Sequence, residues 1–141
     1  MKANRILTLA ILEFVVMGTP VSLSGSTEAK RFWQQRVTRA AEYARKDWLP
    51  SPFDDMVLRV AYFYVYAPAA DLDNIVKPLQ DALKGVAFVD DIQVVDLIAS
   101  MRRKGVSDRV PMTALLANAF DGGSDFIYVA VDRAIAIEVF R

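Results

Sequence analysis

The sequence predicts a single α+β domain, a mixed β-sheet packed with helices, on three observations. Strand-like and helix-like stretches alternate along the 141 residues; no internal repeat or low-complexity segment interrupts them; and 54% of the residues are hydrophobic, enough for one sizeable core. We read residues 1–141 as one domain. Lys plus Arg and Asp plus Glu each number 17, and the chain has neither Cys nor His. That excludes thiolate nucleophiles, Ser-His-Asp triads, disulfides and Cys/His zinc sites. Catalysis is left to carboxylates, Lys, Tyr or hydroxyls, and a catalytic metal must accept oxygen ligands, which points to Mg²⁺ or Mn²⁺.

Ile6–Met17 is mostly apolar, and Ile11–Val16 within it reads as a core strand, the first of the chain. The longer stretch follows Lys2 and Arg5 as a targeting segment would, but Glu13 interrupts it and it is too short to span a bilayer, so a cytoplasmic protein with no membrane partner is expected. Residues 18–27 are rich in turn formers and predict a loop. Ser26 or Thr27 can then cap a helix over 28–46, whose apolar stripe is Phe32, Trp33, Val37, Ala40, Ala41 and Ala44, with Pro50 and Pro52 closing the region. Met56–Tyr66, dense in β-branched and aromatic residues, predicts the second strand. Leu72 to Leu83 follows a helical repeat that stops at Gly85, and Pro78 predicts a kink or a later start. Ile92–Ser100 predicts a third strand, Pro111–Phe120 a helix, and Phe126–Val131 and Ala134–Phe140 two final strands.

Charge is uneven along this order. Residues 1–50 carry eight basic and four acidic side chains, 51–100 three and eight, and 101–141 six and five. The acidic middle concentrates in Asp71, Asp73 and the pair Asp90 and Asp91, with Lys77 between them. A carboxylate at a helix start is a preferred cap, which accounts for one aspartate; two of them, with two more after the helix, exceed what capping requires. If the eight residues from Leu83 to Asp90 fold back, Asp91 approaches Asp71 and Asp73 to form an oxygen cage for hard cations, suited to phosphodiester hydrolysis without His. Lys77 lies one turn beyond Asp73 and can reach a ligand carboxylate or a reacting phosphate. The alternatives are an ordinary Asp73–Lys77 surface pair and a solvated turn at Asp90 and Asp91. Asp81, two turns from the helix start, reads as a bystander.

The segment DLDNIVKPLQDAL at 71–83, followed by FVDDIQV at 88–94, resembles the RusA family of Holliday junction resolvases. The resemblance is dense over about 30 residues and looser in the strand, loop and helix before them. It implies a homodimeric, Mg²⁺-dependent endonuclease that resolves four-way DNA junctions in recombination and repair. Asp71, Asp73 and Asp91 match the family's metal-binding aspartates and Lys77 its catalytic lysine; Asp90 supports them, and Asn74 and Gln93 match positions expected to orient the carboxylates. Where some members carry arginines before the first aspartate, this chain has Ala67, Pro68, Ala69 and Ala70. Contacts to the DNA backbone are expected from Arg36, Arg39, Arg102, Arg103 and Lys104. Two competing functions share these features: an inactive DNA-binding or interaction module on the same fold, and a small Mg²⁺-dependent nucleotide phosphohydrolase. Intact Asp71, Asp73, Lys77 and Asp91 count against the first, and the basic flanks against the second.

Overall fold

Alternation of inward and outward side chains defines the sheet. Leu12, Phe14 and Val16 of β1 (Leu12–Met17) are buried, while β2 (Met56–Tyr64) and β4 (Phe126–Arg133) are buried over most of their length. The computed structural model describes residues 10–105 and 113–135. Its four strands run in the order β1-β4-β2-β3, with β3 spanning Val94–Arg103. β4 is antiparallel to both β1 and β2, whereas β2 and β3 are parallel. A parallel pair cannot be joined by a tight turn and needs a crossover, supplied here by helix α2 (Leu72–Leu83).

One face of the sheet carries the main core. Trp33, Val37 and Ala41 of α1 (Thr27–Arg45) and Ile75, Leu79 and Leu83 of α2 pack there against Leu58, Val60 and Tyr62 of β2 and Ile127, Val129 and Val131 of β4. On the other face, Leu116 and Ala119 of α3 (Ala114–Asp121) close over Phe63 and Phe126. The Ser26 hydroxyl accepts the Ala29 N–H at 3.1 Å to start α1, and the Thr113 hydroxyl does the same for Leu116 at 3.2 Å in α3. Gly18 turns the chain out of β1 at φ +106°, where a side chain is strained, and its N–H reaches the Asp125 carbonyl at 2.7 Å.

The mixed α+β sheet and its helices are as expected, with several differences in detail. α2 runs unbroken through Pro78. The missing N–H leaves the Asn74 carbonyl without its helical partner, and the Leu23 N–H takes it at 2.8 Å, so the proline docks the 18–26 loop instead of ending the helix. β2 stops at Tyr64, and Ile92 belongs to a 3₁₀ turn (Asp91–Gln93) that precedes β3. β3 continues past Ser100 to Arg103 because the whole of β2 offers it backbone partners. β4 runs on to Arg133 where a turn was expected. Of the last expected strand, Ala134 and Ile135 lie outside the sheet and the remainder lies outside the described residues, as do Pro111 and Met112 of the third helix. No helix among the described residues is long and apolar enough to cross a membrane.

Leu79 is fully buried between α1 and the sheet. Leu79→Ala is expected to destabilise the fold by about 2–4 kcal/mol, read as a lower urea midpoint with an unchanged slope.

Candidate active site along the α2 crossover

The turn that delivers Asp90 and Asp91 is held from beneath by Gln93, the one buried polar side chain among the described residues. Its carbonyl oxygen accepts the N–H groups of Val89 at 2.8 Å and Asp90 at 3.0 Å. Its amide nitrogen donates to the carbonyls of Ser51 at 2.7 Å and Asp54 at 2.8 Å. The full capacity of one amide is thus spent on backbone, clamping the turn to the approach to β2. Asp90 accepts the Ile92 N–H with its own Oδ1 at 3.4 Å, as the cap of the 3₁₀ turn.

Asp91 emerges from this turn against α2. Its Oδ2 lies 3.8 Å from the Lys77 ammonium, which donates at 2.8 Å to Asp81 Oδ1. Its Oδ1 is buried and has no hydrogen-bond partner among the described residues. The hydrogen bond to Asp81, foremost, holds the Lys77 pKa above the ordinary lysine value; burial opposes it, and the negative charges of Asp81 and then Asp91 add to the rise. Lys77 is therefore an ammonium at physiological pH. Its partner is Asp81, not Asp73. Asp81, a bystander by its distance from the helix start, lies four residues after Lys77, the same helical spacing that separates Lys77 from Asp73.

Asp71 and Asp73 stand at the opposite end of α2. Asp71 occupies the cap position, yet its side chain makes no capping hydrogen bond, so its carboxylate is left uncommitted. Asp73 Oδ1 accepts the Asn74 N–H at 3.0 Å. The Asn74 backbone is tied on both sides, through its N–H to the Asp71 carbonyl and through its carbonyl to Leu23. Eight residues of helix, about 12 Å of axis, separate Asp73 from Asp81. Among the described residues no three His, Cys, Asp or Glu side chains gather closely enough to hold a metal ion. Of the three expected metal aspartates, Asp71 and Asp73 stand at the start of α2 and Asp91 in the turn beside Lys77.

The donor set nonetheless suits a hard cation. It is all oxygen, it includes the free Asp71 carboxylate, and it includes a buried, unpartnered oxygen on Asp91. Mg²⁺ is commonly held by one or two carboxylates, with water and substrate phosphate completing its shell.

The basic residues divide sharply. Lys104 buries its ammonium among the carbonyls of Ala119, Gly122 and Ser124, at 3.4, 2.6 and 2.9 Å, closing the C-terminus of α3. Arg36 donates to the Met17 carbonyl at 2.6 Å and lies over Trp33. Arg102 bonds the Met101 carbonyl, and Arg103 lies 5.9 Å from the Tyr64 ring centre. Arg39 instead lines a groove between α1 and α2 with Arg31, Lys84, Gln35 and Thr38, and that groove reaches Asp81. Lys30 extends it beside Arg31 and Gln34.

Comparison with known proteins finds one family model, described as Endodeoxyribonuclease RusA, which matches residues 25–113. No curated protein matches the chain.

The bonding pattern separates two kinds of site residue. Gln93→Ala strips partners from two amides and two carbonyls, and is expected to cost about 2–3 kcal/mol by chemical denaturation. Asp71→Ala, which loses no cap bond, should stay within about 0.5 kcal/mol of the parent in the same measurement, unlike Ser26→Ala at about 1 kcal/mol.

Proposed function

Because the chain belongs to the RusA endodeoxyribonuclease family, we propose that it is a metal-dependent nuclease that resolves four-way DNA junctions by paired phosphodiester cuts around α2. The observation that carries this reading is the Lys77 ammonium held between Asp81 and Asp91, with a buried Asp91 oxygen left free. Asp71, Asp73 and Asp91 would supply carboxylate oxygens to Mg²⁺ or Mn²⁺, one or two carboxylates to an ion, with substrate phosphate and water completing the coordination. The cation supplies charge for the phosphate oxygens and acidity for the attacking water.

The protein's own groups do the rest. Asp81 anchors Lys77 so that its charge is in place before the phosphate acquires its extra negative charge, and no reorganisation is needed as the P–O bond breaks. Asn74 and Gln93 hold the backbone that carries Asp73 and Asp91, and Asp90 shapes the turn. The strand being cut runs along the α1/α2 groove, where Arg31, Arg39 and Lys84 meet its phosphates. Arg36, Arg102 and Arg103 contribute long-range positive potential, whereas Lys104 serves the fold. A junction has two-fold symmetry and two strands to cut, so a symmetric homodimer acting on DNA in the cytoplasm, in recombination and repair, is the economical assembly.

The test is incubation with a synthetic four-way junction and with an equal-length duplex, in Mg²⁺ or EDTA. Nicking confined to the junction and to Mg²⁺ is expected; equal cutting of free nucleotides, or none of either DNA, rejects the reading. Lys77→Ala should lower single-turnover cleavage by about two to four orders of magnitude while junction binding in Ca²⁺ changes little.

The raised pKa of Lys77 sets the sign of its pH dependence. Its contribution to stability and to cleavage is complete below the ordinary lysine value and is lost only as pH rises through the higher, folded-state value. A pH–rate profile should therefore show no loss assignable to Lys77 between neutrality and the ordinary lysine value.

A further inference from the structure

The Asp71 carboxylate is delivered by the 65–70 loop, which leaves β2 at Tyr64 and is built of Val65, Tyr66, Ala67, Pro68, Ala69 and Ala70. Such a sequence has little means of holding itself: four of its residues, Tyr66 to Ala69, are exposed, and its side chains carry no charge. Among the described residues two hydrogen bonds reach its backbone, and both come from the same pair of side chains. The Val65 N–H donates to Asp125 Oδ1 at 2.9 Å, and the Ala69 N–H donates to the Tyr62 hydroxyl at 3.2 Å. The Tyr62 hydroxyl in turn donates to Asp125 Oδ2 at 2.7 Å.

Asp125 thus uses one carboxylate oxygen on the start of the loop and the other, through Tyr62, on its end, two residues before Asp71. Its own backbone is pinned as well, since its carbonyl accepts the Gly18 N–H at 2.7 Å and so joins the end of β1 to the start of β4. The Tyr62 ring is fully buried in the main core and cannot swing. Burial, and then the bond to Asp125, push the phenol pKa well above the ordinary tyrosine value, so the hydroxyl keeps its proton and the bond to Asp125 throughout the working pH range. A rigid, neutral hydroxyl held by a carboxylate is what a loop tether needs.

We propose that Tyr62 and Asp125 are positioning residues for Asp71: the Asp125–Tyr62–Ala69 chain sets where the first site carboxylate stands. The inference rests on the proposed nuclease reading for the task of Asp71, and on hydrogen-bond geometry for the tether. It extends the site to Asp125, outside the span matched by the family model.

The experiment compares Tyr62→Phe, Asp125→Ala and Asp125→Asn with the parent. Tyr62→Phe removes one oxygen and leaves the core filled, so all variants can be checked for folding by their thermal midpoints. In an amide NMR spectrum, Mn²⁺ should broaden the Asp71–Asn74 signals of the parent, and Tyr62→Phe and Asp125→Ala should need several-fold more Mn²⁺ for the same broadening. Single-turnover junction cleavage should fall about tenfold in both, with binding in Ca²⁺ unchanged. The double variant should be no worse than the poorer single one, because the two groups act in one chain. Asp125→Asn retains an oxygen for Val65 and a polar group for Tyr62, and should recover most of both signals. Normal Mn²⁺ broadening in Tyr62→Phe and Asp125→Ala, or losses that merely track the thermal midpoint in every variant, overturns the proposal. A parent protein that cuts no DNA sinks the nuclease reading alone, because the Mn²⁺ titration still judges the tether.

Discussion

Parallel pairing between β2 and β3 is the constraint on which the rest of the structure depends. Strands that run the same way need a connection that returns to the starting edge, and α2 makes that return across the sheet. A helix in that place is obliged to bury Ile75, Leu79 and Leu83 on one side, and it leaves Asp73, Lys77 and Asp81 on the other. The same return brings the turn before β3 back beside the helix, which is how Asp91, far along the chain from Lys77, comes to face it at 3.8 Å. Site and fold are consequences of one crossover.

Polar side chains hold the ends of this crossover where apolar packing cannot. Gln93 clamps the turn before β3, Asp125 and Tyr62 hold the loop before α2, and Lys104 closes the far end of α3. Each is surrounded by backbone amides or carbonyls of segments distant in sequence, and each has its hydrogen-bonding capacity largely used. Against that background the uncommitted groups stand out: the Asp71 carboxylate, which caps nothing, and the buried Asp91 oxygen with no partner. Trp33 Nε1 is the other buried polar atom without a partner among the described residues, and it lies in the apolar core; an unpaired carboxylate oxygen is where a cation has something to gain.

Basic residues show the same division between structural and available charge. Arg36 and Lys104 carry their positive charge onto main-chain carbonyls, and a count of cations overstates the surface offered to DNA. The groove between α1 and α2 retains Arg31, Arg39 and Lys84 and leads to Asp81, so its charge lies next to the Lys77 cluster and not at the tip of β3.

Much was legible in the sequence because it is local. Period-two and helical patterns located the strands and helices, the absence of Cys and His excluded thiolate and imidazole chemistry, and the DLDN and DD segments pointed to the family whose model the chain matches. Spacing within a helix also put Lys77 within reach of Asp73 and Asp81 equally, and it could not choose between them. In the folded chain Lys77 bonds Asp81 and also faces Asp91, whose approach depends on the path of the chain after Leu83. Tertiary structure alone decided that Pro78 docks a loop instead of breaking α2, that Lys104 is consumed by α3, and that Asp125 reaches back to the loop before Asp71. Each of these depends on a hydrogen bond between segments far apart in sequence, and no local pattern encodes a partner that only the folded sheet brings near.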